Sequence, residues 1–376
     1  EEAEELFKKL LNMNFRKLFI TTPDRDFNKN YLLEEGEFRH DDHKWEMSSV
    51  EFRLWVNQII DDLGIGAGLD IKYVGIGDSV DGIHTTQGFI IENKNVKPQA
   101  IITIGCSASG KSTFAEGICK TGNWVEINRD NIRFRGKPKD WNQYRFTKQN
   151  EHKVTKKWEK QLDSAVESVV NIVVSDTSLN TERRQQLVSK LEEAGYIVTE
   201  KVFDVEFDEL LKRDKQRQGG VGYEVLINQY VQFQRNINGV EPYEQNDKLD
   251  AYVVDIDGTI ADKGDRSPYD YSKVQKDSTI ESVVTLIDGA NILGAKIIFL
   301  SGRDASCMSQ TEKWLEDNIG DWTKECPLIM REEGDCRKDY VVKMELFNKH
   351  IRNNYNVVAV IDDRMQVLEQ CWRVLG

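Results

Sequence analysis

Two short stretches hold residue types at spacings that suit phosphoryl chemistry. Gly105-Cys106-Ser107-Ala108-Ser109-Gly110-Lys111-Ser112 fits the phosphate-loop pattern G-x4-G-K-S/T. Its glycines let backbone N–H groups close around phosphates, and a helix starting there adds partial positive charge. Lys111 would then bridge the β- and γ-phosphates of ATP or another NTP, and Ser112 would ligate Mg²⁺. Gly105, Ser107, Ser109, Gly110 and Thr113 complete that cradle. The second stretch, Asp255-Ile256-Asp257-Gly258-Thr259, is a DxDGT pattern. Its first Asp can attack phosphorus to form an aspartyl-phosphate, and the second can protonate the leaving oxygen and later activate water.

Each stretch has partners further along. Asp130, in Ile127-Asn128-Arg129-Asp130, is placed to accept the proton of a hydroxyl acceptor, and Arg133 can hold an acceptor phosphate by a two-pronged contact. Asp176 either orients the metal's water shell or an arginine, or caps a helix beginning near Thr181. The run Lys212 to Gly220 packs basic residues, Arg213 and Arg217 among them, before a glycine pair, as a lid over the transferring phosphoryl group would. For the second stretch, Ser301 can donate to phosphate and Lys338 can neutralise developing charge. Asp362 or Asp363 would complete a Mg²⁺ site with Asp255, with Asp257 counted alongside as a ligand; oxygen donors suit that hard cation. Arg303, just past Gly302, is a further grip on substrate.

The elements that must carry these groups alternate. Apolar runs at 100–104, 172–174, 251–254, 297–300 and 357–361 read as buried strands, and helical patterns lie between them at 151–170, 182–194 and 280–293. Such alternation implies parallel sheets covered by helices, with ligands beyond the strands' C-terminal ends, where most of these motifs fall. The fold expected is α/β: a P-loop NTPase-type sheet over 98–245, then a HAD-type Rossmann-like domain over 246–376, preceded by a small α+β domain over 1–97. The short spacing from Asp257 to Ser301 leaves no room for a large cap domain. An uncapped site stays open to the end of a polymer.

Hydrophobic residues make up 39% of the 376 and charged residues 31%, which reads as globular rather than disordered. No run approaches a membrane span, and no signal peptide is visible, so a cytoplasmic protein is expected. The opening on Glu1 points to processing or a fragment. Six scattered cysteines without a CxxC suit free thiols. The net charge of -13 is uneven: -7 over 1–98, +1 over 99–249 and -7 over 250–376. The middle third is therefore the place for an anionic substrate. The acidity of the first third argues against direct nucleic-acid binding there.

Residues 100–376 resemble the T-even-phage polynucleotide kinase/phosphatases in motif content and order. The resemblance rests on Ile127-Asn128-Arg129-Asp130, Ser175-Asp176-Thr177, Asp255 to Thr259, Ser301-Gly302-Arg303, Arg337-Lys338-Asp339 and Ile361-Asp362-Asp363-Arg364. It implies Asp130 as general base toward a 5′-OH, Arg133 on the phosphate 3′ to the acceptor nucleoside, and Lys111, Ser112 and Arg217 on the NTP. Asp176 would support the acceptor site. It implies Asp255 as nucleophile and Asp257 as acid/base, with Ser301, Arg303, Lys338 and Asp362 completing that pocket. The expected substrates are RNA or DNA with 5′-OH and 3′-phosphate ends, 2′,3′-cyclic phosphates included. A ligase would act afterwards, in a host-cell cytoplasm if the chain is phage-encoded. Members of this family tend to form homotetramers. The other enzyme reading is a small-metabolite kinase fused to a metabolite phosphatase.

Residues 1–98 have no counterpart in that family. One HxT triplet occurs, His84-Thr85-Thr86, where two-histidine phosphodiesterases need a pair, so an interaction or positioning role is expected. His40 and His43 read as a solvated loop pair rather than a metal site.

Overall fold

The computed structural model describes residues 2–13, 15–33, 37–40, 43–135, 140–141, 144–267 and 270–376. They form two compact units. The first comprises Glu1–Ala100, Ser164–Ile172 and Val188–Thr199, and the second Ile101–Asp163, Val173–Leu187 and Glu200–Gly376.

In the first unit, strands Lys17–Pro23, Ile83–Asn93 and Leu69–Val80 form an antiparallel sheet with the second of these in the centre. The helix Ser49–Asp62 begins at a capping box: the Ser48 hydroxyl accepts from the Glu51 N–H at 3.2 Å, and the Glu51 carboxylate accepts from the Ser48 N–H at 2.9 Å. Phe52, Val56 and Ile59 on that helix join Phe7 and Leu11 of the helix Glu2–Asn12 over Phe89 and Ile91 of the central strand. This is the small α+β body expected. His43 donates or accepts at Glu46, 2.7 Å away, as a local loop contact. His84 lies against Gly75 on the hairpin, and its Nδ1 has no hydrogen-bond partner.

From Gln99 onward strands and helices alternate. One sheet orders its strands Trp124–Ile127, Asn171–Val174, Gln99–Ile104, Ile197–Val202. The other orders them Leu328–Arg331, Lys296–Asp304, Asp250–Val254, Asn356–Ile361, and its pairings are parallel. Side chains on the second sheet alternate between two cores, as a sheet buried on both faces requires. Val253, Ile298 and Leu300 pack with Phe347, Cys371 and Trp372. Val254, Ile297 and Phe299 pack on the other face with Ile287 and Trp314. The core of the P-loop part gathers Ile104, Phe207, Leu226 and Tyr230, and it includes Val374 from far along the chain. All six cysteines are free. Among the described residues, no helix is long and apolar enough to cross a membrane.

Candidate active sites

The turn after Gln99–Ile104 is shaped by positive φ at Gly105, Ala108 and Gly110 (157°, 64° and 104°). A Cβ at Gly105 would lie 2.8 Å from the Phe203 carbonyl oxygen, so the loop can run this close to the neighbouring strand's end only with glycine there. The helix Lys111–Cys119 follows directly. Lys111 is buried and turned back over the loop, its ammonium donating to the Cys106 carbonyl at 2.6 Å and to Ser109 Oγ at 3.3 Å. The Ser107 N–H donates to Gln229 Oε1 at 2.7 Å. A curled loop that leads straight into a helix N-terminus suits polyphosphate.

This loop forms one wall of a cavity of about 660 Å³. Ser107, Gly110, Lys111, Ser112 and Thr113 line it on the loop side. Asp130, Arg133, Asp176, Arg213 and Arg217 line it elsewhere, so residues more than a hundred positions apart share one space. Asn128 accepts from the N–H groups of Asp130 and Asn131 at 2.8 and 3.1 Å and so starts the short helix that carries Asp130 and Arg133. Arg133 donates to Asp130 Oδ1 at 2.8 Å and makes two bonds to Glu151, at 3.2 and 2.6 Å. Arg133 in turn holds the Glu151 carboxyl below its usual range. Asp176 accepts from the Arg129 N–H at 2.9 Å, and burial raises its carboxyl. Asn180, not Asp176, caps the helix Thr181–Glu193, accepting from the Arg183 N–H at 2.8 Å. Arg217 is tethered to Asp214 at 2.6 Å, and Arg213 to Glu209 at 2.8 Å.

In the second site, Asp255, Ser301 and Asp362 sit at the C-terminal ends of three adjacent parallel strands. Asp255, Asp362 and Asp363 offer oxygens within 4.8 Å of one another, and this is the one such cluster among the described residues. Lys343 is fully buried and donates to Asp255 Oδ1 and Asp362 Oδ2, both at 2.7 Å. Three carboxylates against one ammonium leave two negative charges, which fits a divalent oxygen-loving cation. Gly258 has φ 84°, and a Cβ there would fall 2.3 Å from Asp363 Oδ2. Burial pushes the Asp255 carboxyl up to about 7, with Lys343 opposing and Asp362 adding to the rise. Lys343 itself is held protonated by the carboxylates around it.

Several expected residues stand elsewhere. Lys338 does not reach Asp255: it is half-exposed and pairs with Glu206. The cation that meets Asp255 is Lys343, one helical turn past Asp339, and the signal that could have found it is the Asp339-x3-Lys343 spacing on one helix face. Asp257 lies outside the carboxylate cluster, because its oxygens take Arg303 Nε and Nη2 at 2.8 Å each and Arg266 Nη2 at 3.1 Å. Arg303 is 1% exposed and also donates to Asp277 at 2.8 Å, so it orients Asp257 rather than presenting a surface grip. Ser301 is fully buried, its Oγ accepting from the Arg303 N–H at 3.2 Å, and Gly302 passes so close to Asp339 that a Cβ would lie 2.2 Å from its oxygen. Glu151, Arg266 and Asp277 have no local pattern in the sequence that marks them.

Comparison with known proteins follows the same division. Residues 249–376 match the family model for the polynucleotide kinase PNKP phosphatase domain, and residues 101–236 match that for an AAA domain. A protein of Autographa californica nuclear polyhedrosis virus, named as a bifunctional polynucleotide kinase/RNA ligase, is 34% identical over 292 residues. That match covers 74% of this chain and 41% of the viral protein, so the chain spans under half of that relative's length. A small RNA 2′-O-methyltransferase of Caenorhabditis elegans is 36% identical over 58 residues, 15% of this chain and 13% of that one. A solved structure described as the Pnkp1/Rnl/Hen1 RNA repair complex is 28% identical, covers 74% of this chain and 93% of its own, and has a TM-score of 0.33. The chain is thus similar to PNKP-type kinase/phosphatases, with an AAA-type P-loop domain over 101–236 followed by a HAD-type domain over 249–376.

Proposed function

We propose that this chain heals nucleic-acid ends, transferring the γ-phosphate of an NTP to a 5′-OH and hydrolysing a 3′ phosphate. The observation that carries the reading is the shared cavity, in which the phosphate loop opens onto Asp130 and Arg133. Asp130 takes the proton of the attacking hydroxyl, and Arg133 exchanges its carboxylate partners for the acceptor's phosphate. Lys111 and Arg217 hold the transferring group, and Ser112 would ligate Mg²⁺. At the second site, Asp255 attacks phosphorus, the ester oxygen departs with a proton from Asp257, which Arg303 and Arg266 hold in place, and Asp257 then takes a proton from the water that cleaves the aspartyl-phosphate and releases phosphate. Ser301 donates to the phosphate and Lys343 neutralises charge gathered on it. Asp255, Asp362 and Asp363 would hold the cation, whose charge offsets the repulsion between carboxylate and phosphate dianion.

We assign these roles to three domains, 1–97, 98–245 and 246–376, the first an accessory module. The viral relative's name joins a polynucleotide kinase to an RNA ligase, which supports RNA repair with sealing as the next step. The test is an end-labelling assay on 5′-OH and 3′-phosphate oligonucleotides of both sugars, with and without Mg²⁺. Asp130→Ala is expected to lose 5′ phosphorylation by about 10²-fold or more while keeping 3′ dephosphorylation, and Asp255→Asn the reverse. Transfer to nucleosides or sugars but not to oligonucleotides would sink the reading in favour of a metabolite kinase.

A further inference from the structure

Aromatic rings gather beside the Asp130–Arg133 helix. Trp141 and Phe146 stack with ring centroids 5.7 Å apart and planes 19° from parallel. Phe134 meets Trp141 edge-on at 4.8 Å, and Tyr144 meets Phe146 edge-on at 4.8 Å. A miniature core holding a surface loop would bury its rings. Phe146 instead leaves 61% of its surface exposed, and both Trp141 and Phe146 face the cavity that contains Lys111 and Asp130. The guanidinium of Arg133 stands 5.5 Å from the Phe146 ring centre. An open aromatic face beside an arginine that can take a phosphate is the pairing with which proteins grip single-stranded nucleic acid. The cation tracks the backbone, and the ring stacks a base whatever its identity. The Trp141 indole N–H also donates to the Gly219 carbonyl at 3.0 Å, which ties this wall to the glycine pair after Arg217.

We propose that Trp141 and Phe146 form a stacking platform for a nucleobase within the first two nucleotides of the acceptor strand, on a phosphate path set by Arg133. The platform rests on the 5′-OH kinase reading and adds that the acceptor's base is gripped by stacking rather than by sequence.

The test measures KM and kcat for 5′-phosphorylation of single-stranded oligonucleotides that are intact, abasic at the first nucleotide, or abasic at the second. For the wild-type chain one of the abasic substrates is expected to raise KM by about 5- to 100-fold, with little change in kcat. Phe146→Ala is expected to raise KM for the intact strand to that of the abasic one and to leave the abasic KM unchanged, and Phe146→Tyr to restore wild-type behaviour. The unchanged abasic value also shows that the variant is folded. Equal KM for all three substrates, or a Phe146→Ala defect of the same size on abasic and intact strands, overturns the platform while leaving the kinase reading standing. No transfer to any oligonucleotide by the wild-type chain overturns both.

Discussion

Lys343 shows what a single buried charge does here. It touches Asp255 and Asp362 at 2.7 Å and lies 3.6 Å from Asp339, all nearly hidden from water. Replacing it with methionine would strand carboxylates in the interior, which typically costs about 3–5 kcal/mol. Lys343→Met is expected to lose 3′-phosphatase activity and to lower the melting temperature, while Lys338→Met, which breaks a half-exposed pair with Glu206, changes stability by less than about 1 kcal/mol. Thermal melts of the two variants side by side check this. Glu151 gives a pH signature. Arg133 depresses its carboxyl in the folded protein, so the ionised form is favoured on folding. That stability is present above the unfolded pKa and is lost as pH falls through the lower folded value. Glu151→Gln is therefore expected to flatten part of the acid limb of a stability–pH curve below about pH 4, by under about 1 kcal/mol. An unaltered acid limb counts against the Arg133–Glu151 coupling.

At the scale of elements, the lid segment depends on a close approach. Asp214 anchors Arg217 and accepts from the N–H groups of Val221 and Gly222, at 3.0 and 2.8 Å. A Cβ at Gly220 would sit 2.4 Å from the Asp214 carbonyl oxygen and 2.9 Å from its carboxylate. Gly220→Ala must push that anchor aside, and displacements of this kind cost about 10²-fold where positioning matters. The expected outcome is a fall of that order in phosphoryl transfer with 3′ dephosphorylation intact, read by assaying both on one preparation. Strands and their motif-bearing ends were legible from apolar runs because parallel strands buried on both faces are continuous in hydrophobicity. The helices 148–167 and 181–193 likewise showed in their periodicity. What could not be read was which charged residue reaches inward. Arg266 and Asp277 sit in irregular backbone with no period to set their direction. Lys338 and Lys343 differ only by a turn that places one on Glu206 and the other on Asp255.

At the scale of the whole second unit, the P-loop and HAD-type halves are not separable bodies. Val374 is fully buried in the P-loop domain's core, Arg235 donates to its carbonyl at 2.8 Å, and the Tyr243 N–H donates to the Leu375 carbonyl at 2.7 Å. Nothing in the sequence announces this, since long-range packing leaves no local pattern. Val374→Ala is expected to cost about 2 kcal/mol and to lower the thermal midpoint of both activities together. Separate midpoints for kinase and phosphatase inactivation would show that the halves melt independently. Because Val374 packs in a core whose other buried members lie between Ile104 and Phe233, the P-loop half draws part of its stability from sequence that follows the HAD-type strands. A chain made only as far as Phe233 would carry every motif of the P-loop half and still lack that contact.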